Sequence, residues 1–273
     1  MEQTTISEAS EKRASPASVS GSVKKLLADG ADAWKVSQKT LIALAAVPFI
    51  VALAGIAAAL ASKEVYKWFT QEDGFAESLQ VVFYSLALVL SLVVMRHLWR
   101  SGRKRIALLY LGLSGGLFFL IGEELNWGQR IFGWATLESF AAINKQEETN
   151  LHNIYGVGAT FKWIQMLVGA YGALLPLVVM RSTALARYRE TLSLLVPHYT
   201  LIPYFALLFI WRAYRNLAEA PEAAYFAIAE YNEVMELILS IGLLLFMIFQ
   251  LRRIRAGQGA TRSIPAADSR RTG

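Results

Sequence analysis

The sequence predicts an all-α fold: a polytopic membrane helical bundle of about six transmembrane helices. The chain has 273 residues, of which 55% are hydrophobic, and its mean hydropathy is +0.39. The apolar residues form long runs with almost no charge, each near the roughly 20 residues that cross a bilayer. Most Lys and Arg residues lie at the ends of these runs. The six runs cover residues 41–62, 76–98, 106–122, 157–180, 192–211 and 234–251.

The composition excludes several classes of function. The chain has no Cys, so it has no disulfide, thiolate metal site or cysteine nucleophile. Three His are too few for a histidine-rich metal centre. The net charge of +6 comes mostly from basic residues next to apolar runs, where they set topology and contact lipid head groups. We therefore expect membrane lipids as partners and no nucleic acid.

Three regions are predicted along the chain. Residues 1–38 are rich in Ser, Ala, Lys and Glu and predict a disordered cytoplasmic tail, because they can bury little apolar area. A short amphipathic helix over 23–39 is the alternative. Residues 39–255 form the six-helix membrane domain, with an outer interfacial segment at 123–156 that contains one or two short helices. Residues 256–273 form a disordered basic tail.

Glycines in the third run and prolines in the fifth run bear on helix packing and continuity. Gly112 and Gly116 in the third run have the Gly-x-x-x-Gly spacing, which predicts a close helix crossing. Pro197 and Pro203 lie in the fifth run. A membrane helix tolerates proline where neighbouring groups satisfy the backbone that proline leaves unpaired.

The basic residues predict the orientation of the bundle. They are concentrated in the N-terminal tail, in the links between runs two and three and between runs four and five, and in the C-terminal tail. All four segments fall on the same side of an even-numbered bundle, so both termini are predicted to be cytoplasmic. These residues are Lys24, Lys25, Lys35, Lys39, Arg96, Arg100, Arg103, Lys104, Arg105, Arg181, Arg187, Arg189, Arg252, Arg253, Arg255, Arg262, Arg270 and Arg271.

Carboxylates collect on the opposite, outer side, and Glu72 and Asp73 are among them. Several lie at helix ends, where hydrocarbon gives way to head groups, and ionisable groups at that depth are often functional. We expect acids that are far apart along the chain to meet in one electronegative pocket at the outer face. The predicted site residues are Glu77, Glu123, Glu124, Arg130, Glu148, His152, Glu233 and Glu236.

The predicted catalytic residues are Glu123, Glu124 and Arg130. Adjacent helix positions point about 100° apart, so only one of the two carboxylates easily faces the bundle interior. That carboxylate is a candidate metal ligand or general base. Arg130 is a candidate anion clamp, because a guanidinium forks onto phosphate or carboxylate; Arg212 could neutralise the acids or hold a phosphate. The alternative is a solvated helix end with Trp127 in an interfacial belt.

The predicted metal ligands are Glu77, Glu148, His152, Glu233 and Glu236. Glu148 and His152 are four residues apart and share a face if this stretch is helical, which is a workable ligand spacing. A mixed Glu/His set suits Zn, Mn or Fe better than Ca. The alternatives are a surface helix with a hydrated His, and helix capping by the acids near helix starts.

Two strings in the outer segment resemble a family of bacterial multi-pass membrane proteins with no established activity. The first is Glu-Glu-x-x-Trp-Gly-Gln-Arg-x-Phe-Gly at 123–133, and the second is Asn-x-Gln-x-Glu-x-Asn-Leu-His-Asn at 144–153. The resemblance implies a multi-pass protein of the bacterial inner (plasma) membrane and adds no chemistry. The outline of the chain is also similar to the alkaline ceramidase-like membrane hydrolases, although it lacks their set of helix-borne histidines.

Three functions fit this pattern. The first is an enzyme, metal-dependent through a divalent ion, that acts on a lipid or lipid-linked substrate at the outer face. The second is a cation- or proton-coupled transporter, and the third is a non-catalytic membrane partner whose acids meet a basic protein. Polar residues are dense mostly at the outer end, which favours an enzyme, because a transporter needs polar groups through the bundle. The sequence does not determine the substrate, the metal or the oligomeric state.

Overall fold

The chain is an all-α, multi-pass membrane protein, as predicted. The computed structural model describes residues 16–71 and 74–262, so Glu72 and Asp73 lie outside the described residues. In this part of the chain, five helices are long and apolar enough to cross a membrane, or six if one bent pair is a single span. The cytoplasmic location of both termini stays a prediction. The helices are α1 (Pro16–Trp34), α2 (Gln38–Ala61), α3 (Lys63–Thr70), α4 (Phe75–Arg100), α5 (Lys104–Glu124), α6 (Gln129–Phe132), α7 (Glu138–Ala141), α8 (Val157–Arg181), α9 (Arg189–Leu195), α10 (Ile202–Leu217) and α11 (Tyr225–Arg262).

The chain divides into two compact units, Met1–Leu44 and Ala45–Gly273. The second unit contains every predicted site residue and most of the membrane helices. At its end, α11 continues to Arg262, so the disorder predicted from residue 256 is wrong over 256–262. A helix that is already nucleated extends at little cost into residues that would not start one. Residues 263–273 lie outside the described part of the chain.

In the first unit, α1 shows that the predicted disordered tail is wrong over 16–34. Ala31 and Trp34, one turn apart on α1, are both buried. Apolar residues at helical spacing therefore give this segment a face to pack, which its overall composition conceals. Lys35 has a positive φ of 53° and follows the end of α1, so the alternative helix over 23–39 is too long. Residues 1–15 are not among those described.

In the second unit, neighbouring helices pack in the order α5, α4, α11, α10 and α8. α2 contacts α11, where the Tyr231 hydroxyl donates to the carbonyl oxygen of Ala52 at 2.6 Å. The two ends of this order, α5 and α8, line the sides of a crevice. The rings of Phe119 on α5 and Phe161 on α8 stack with centroids 5.9 Å apart and join the two helices.

The close crossing in this bundle uses Gly169 on α8 and not the glycines of α5. A Cβ added at Gly169 would lie 2.7 Å from the backbone nitrogen of Phe209 on α10. A Cβ at Gly112 or Gly116 would meet nothing within 4 Å. The close crossing predicted at Gly112 and Gly116 is therefore wrong within the described residues, because residue spacing does not determine which helix face meets a neighbour.

Gly169→Ala is expected to destabilise the bundle, because the new methyl group would press on backbone that cannot rotate away. We expect the free energy of unfolding to fall by about 1–3 kcal/mol, measured by SDS titration of the purified protein. Gly112→Ala is the matched control, since its methyl group has room and alanine favours a helix over glycine by about 1 kcal/mol. Equal losses in the two variants would contradict this account of the α8–α10 crossing.

The fifth predicted span, 192–211, is not one continuous helix. α9 ends at Leu195, α10 begins at Ile202, and the helical segments before and after the break are bent by 48°. Pro197 explains the break, because it has no N–H to donate and disfavours a helical conformation in the residue before it. Val196 is accordingly extended, with φ −86° and ψ 131°.

Two of the predicted basic links lie at the same end of the bundle. Arg103 precedes α5, and its Nη2 lies 2.5 Å from Oε1 of Glu190 in the first turn of α9. Both side chains are largely exposed. The opposite end of α5 carries Glu123 and Glu124, so the basic links and the predicted site lie at different ends of this helix.

Candidate functional site

A cavity of about 410 Å³ lies at one end of the bundle. Its wall is formed by the start of α4, the end of α5, the loop before α8, the start of α8, the end of α10 and the first half of α11. The acids that the sequence predicted to meet in one pocket therefore do so, although their chemical roles stay predictions. The predicted site residues that line it are Glu77, Glu123, Glu124, Glu148, His152, Glu233 and Glu236.

The chain after α5 turns back over the end of that helix. Asn126 and Trp127 both have positive φ, 48° and 53°, a conformation that costs a non-glycine residue about 1–3 kcal/mol. The turn brings the Trp127 ring onto Gly122, where a Cβ would lie 3.0 Å from the ring. It also places Trp127 Nε1 2.7 Å from Oε1 of Glu123. The strained turn is thus held by the carboxylate that ends the apolar run.

Glu123 holds the loop before α8 in place. Its Oε2 accepts hydrogen bonds from the backbone N–H groups of Leu151 and His152, both at 2.8 Å. The same oxygen lies 3.2 Å from Nδ1 of the His152 ring. Glu123 is only 3% exposed, and these donors make its burial tolerable. The structure therefore gives Glu123 an orienting role and pairs it with His152.

The stretch that contains Glu148 and His152 is not helical, so the predicted shared helix face is wrong. It is a loop closed by an isolated antiparallel bridge between Asn144 and Ile154. Within it, Asn144 Nδ2 donates to Oδ1 of Asn150 at 3.0 Å. Asparagine side chains that bond locally compete with helical hydrogen bonding, which explains the loop. Glu148 and His152 nevertheless both line the cavity.

Asn150 connects this loop to the turn after α5. Its Nδ2 donates to Oδ1 of Asn126 at 2.7 Å and to Oε2 of Glu148 at 2.8 Å. Asn150 is 1% exposed and Asn126 is 7% exposed. Because this hydrogen bond joins two buried amides, it docks the loop against the turn beside the cavity.

Arg130 is not among the residues that line the cavity in the described part of the chain. Its Nη1 lies 2.9 Å from Oε1 of Glu77 and donates to the Glu124 carbonyl oxygen at 2.6 Å. Its guanidinium therefore neutralises one carboxylate of the wall and holds the end of α5. The predicted anion clamp stays a prediction, and an incoming anion would have to compete with Glu77.

Glu233 and Glu236 lie inside α11, which begins at Tyr225, so helix capping does not account for them. Glu236 Oε1 lies 2.7 Å from Nη2 of Arg212 on α10. Glu233 Oε2 accepts from Nε2 of Gln80 on α4 at 3.0 Å. These contacts join three helices around the cavity. They also show that Arg212, undecided from the sequence, neutralises an acid.

Glu124 differs from the other carboxylates of the wall. It is 8% exposed, and its carboxyl group has no hydrogen-bond or ion-pair partner within the described residues. Two further polar atoms of the wall, Oε1 of Gln165 and Nε of Arg212, are buried without a partner in the same part of the chain. A buried polar group without a partner is costly and calls for an explanation. The Glu124 carboxyl group lines the cavity, so a bound molecule would find unused hydrogen-bonding capacity there, whereas the other two atoms are closed off from it.

Sequence reasoning missed three polar residues of the wall: Lys145, Lys162 and Gln165. Lys162 and Gln165 lie inside the fourth apolar run, 157–180. A charged or amide side chain within a membrane span is itself a signal of function, and that signal would have found these two. Lys145 lies in a polar loop and carries no comparable signal.

The predicted metal site is not formed within the described residues. In that part of the chain, no group of three or more His, Asp and Glu side chains is arranged to hold a metal ion. Two of the predicted ligands, Glu77 and Glu236, are instead each paired with an arginine. Metal binding stays a prediction, and it would require such pairs to open.

No protein-family model, curated protein or solved structure matches the chain. The resemblance of the strings at 123–133 and 144–153 to a bacterial membrane family therefore stays a prediction.

Proposed function

We propose that this protein is an enzyme of the bacterial inner membrane that acts on the polar head of a lipid or lipid-linked substrate at the outer face. The observation that carries the proposal is the environment of Glu124. Its carboxyl group is buried, lines a cavity and has no partner within the described residues. A carboxyl group placed in this way is positioned to contact a substrate. The electrostatic effect of such a group on a substrate is stronger in a site that excludes water.

The pair of Glu123 and His152 supplies the second chemical group. When His152 donates its Nδ1 proton to Glu123, the basic lone pair of the ring is on Nε2, which is the tautomer of a general base. Three donors besides the ring fix Glu123, so the imidazole is oriented by a rigid partner. His152 then takes a proton from water or a substrate hydroxyl, and Glu124 gives a proton to the leaving group. The reaction class is hydrolysis or group transfer at the lipid head.

The distribution of polar groups supports an enzyme over the alternatives. The acids lie at one end of the crevice between α5 and α8, and its other part is a groove with apolar walls. A carrier of cations or protons needs polar groups along its whole path. A docking site for a basic protein needs outward-facing acids, whereas Glu123 and Glu124 are buried.

Metal dependence, predicted from the sequence as Zn, Mn or Fe, has its own test. The proposed roles of His152 and Glu124 need no ion, so chelator-treated protein is expected to retain its turnover. Elemental analysis before and after chelation checks that the protein is metal-free. A loss of turnover that one added divalent ion restores would replace the His152 mechanism with a metal-activated water.

Glu124→Gln is expected to reduce turnover by about 100-fold or more, the size of a lost general acid or base. The protein is reconstituted in nanodiscs with the total polar lipids of a bacterial inner membrane, and the lipids are followed by mass spectrometry. The matched control is Glu138→Gln, whose residue is exposed in α7; it is expected to act at the wild-type rate. If wild type converts no lipid class, or if Glu124→Gln equals wild type, the proposal is wrong. Ion flux into proteoliposomes then tests the carrier.

A further inference from the structure

A second cavity, of about 500 Å³, lies in the same crevice between α5 and α8. This volume lies within the roughly 300–1,000 Å³ of small-molecule sites. We call it the apolar groove. Its α5 wall is Leu109, Tyr110 and Leu113; its α8 wall is Ile164, Leu167, Val168 and Tyr171; the rest comes from the segment that includes α9 and from α10 and α11.

The polar atoms of the groove wall are already bonded to protein. The Tyr110 hydroxyl donates to the carbonyl oxygen of Leu194, and the Tyr171 hydroxyl donates to that of Leu195 at 2.9 Å. A ligand in the groove therefore finds hydrocarbon and aromatic rings, and it gains nothing from polar substituents there. The groove suits a hydrocarbon chain.

The groove and the acidic cavity are lined by successive stretches of the same two helices. On α8, Ile164 lines the groove and the next residue, Gln165, lines the acidic cavity. On α5, Leu113 lines the groove and Leu120 lines the cavity, about 10 Å farther along the helix axis. A molecule with a polar head and an extended chain can occupy both at once.

The groove is accessible from the side of the bundle. Three large apolar residues of its wall have high exposed fractions: Leu109 is 57% exposed, Ile164 is 50% exposed and Leu167 is 64% exposed. In a membrane such surface meets lipid tails. A chain can therefore enter between α5 and α8 without leaving the hydrocarbon layer.

The charge of the acidic cavity restricts the head group. Six carboxyl groups line it against three basic side chains, and Arg130, outside the lining, adds a fourth basic group by pairing with Glu77. The carboxylates stay in excess when Glu124 carries the proton of the general acid, and the Glu124 carboxyl group has no hydrogen-bond or ion-pair partner within the described residues. An anionic head would meet net repulsion there. A head rich in hydrogen-bond donors, a polyol or an amine, would satisfy that carboxyl group.

We infer that the protein binds an amphiphile with a hydrocarbon chain in the apolar groove and a donor-rich, non-anionic head in the acidic cavity. This inference rests on the proposed function and names its substrate class. It assigns to Leu113 and Val168 the selection of the chain, and to Glu124 the selection of the head.

Photoactivatable probes test the inference on the full-length protein in nanodiscs. The probes are hexadecyl glucoside, hexadecylamine and hexadecyl phosphate, each with a diazirine at the same chain carbon. After irradiation, adducts are mapped by peptide mass spectrometry. We expect the glucoside or the amine to label the groove residues and to be displaced by excess unlabelled probe. The phosphate is expected to label the lipid-facing surface without preference.

Two tryptophan variants on α5 locate the chain. Leu113→Trp fills the groove and is expected to reduce groove labelling by about tenfold, the size of a steric overpacking effect. Leu111→Trp is the matched control, because Leu111 is 49% exposed and lies outside the groove lining. Thermal unfolding of both variants confirms that they are folded. If Leu113→Trp does not fold, displacement by unlabelled probe in the wild type decides the question.

Three outcomes would overturn the inference: adducts spread evenly over the bundle, labelling that the unlabelled probe does not displace, or groove labelling by the phosphate equal to that by the glucoside and amine. The labelling does not depend on turnover. Groove labelling without conversion of any lipid would therefore support the inferred binding site and contradict the proposed enzymatic function. Lipid conversion by a protein that is not labelled in the groove would support the enzymatic function and contradict the inferred binding site.

Discussion

Arg212→Met is expected to lower the free energy of unfolding by about 3–5 kcal/mol, the cost of removing one partner of a buried ion pair. The side chains of Arg212 and Glu236 are only 4% and 15% exposed, and their charged atoms lie 2.7 Å apart. Arg212 Nη1 also donates to Oδ1 of Asn232 at 2.9 Å. The substitution would leave the Glu236 carboxylate in the bundle without its counterion. SDS titration of the purified protein measures the loss.

A second substitution shows whether the loss comes from the unpaired carboxylate. Adding Glu236→Gln to Arg212→Met removes the charge left behind and is expected to recover about 1–3 kcal/mol, the usual coupling of residues in contact. The control is Arg103→Met, which breaks an exposed pair with Glu190 and is expected to change stability by no more than about 1 kcal/mol. Similar losses for Arg212→Met and Arg103→Met would contradict the assignment of a buried pair.

The sequence predicted the membrane spans because long uncharged runs leave few other structures open to the chain. It also predicted that distant acids meet, since alternating spans bring every second link to the same end of the bundle. The break at Pro197 was harder to predict, because prolines are also tolerated inside continuous membrane helices. A sequence pattern therefore located the fifth span and did not determine its continuity.

The pairing of the site residues could not be read from the sequence. Arg130 reaches Glu77 only because Asn126 and Trp127 adopt left-handed conformations that turn the chain back over α5. Neither residue type requires such a conformation; the local hydrogen bond of Trp127 to Glu123 and the contact of Asn126 with Asn150 hold it. The same holds for His152, which reaches Glu123 from a loop and not from the predicted helix face.

Glu123 and Glu124 are adjacent, and the same substitution is expected to affect stability differently at the two positions. Glu123→Gln replaces an acceptor oxygen with an NH₂ group. The Glu123 carboxylate accepts from the N–H groups of Trp127, Leu151 and His152 and also faces a ring nitrogen of His152. At least one buried donor is left unsatisfied, at a cost of about 1–3 kcal/mol. Glu124→Gln breaks no hydrogen bond within the described residues and removes a buried carboxyl group, so stability is expected to stay the same or rise.

Thermal unfolding and amide hydrogen exchange separate these two effects. In Glu123→Gln the melting temperature should fall and the amides of Leu151 and His152 should exchange faster, because they lose the oxygen that holds them. In Glu124→Gln both should match the wild type, while lipid conversion is lost. This combination is what a binding site produces, since groups placed to meet a ligand are commonly kept at the expense of stability. If Glu124→Gln also melted early, Glu124 would be a structural residue and the proposed catalytic role would fail.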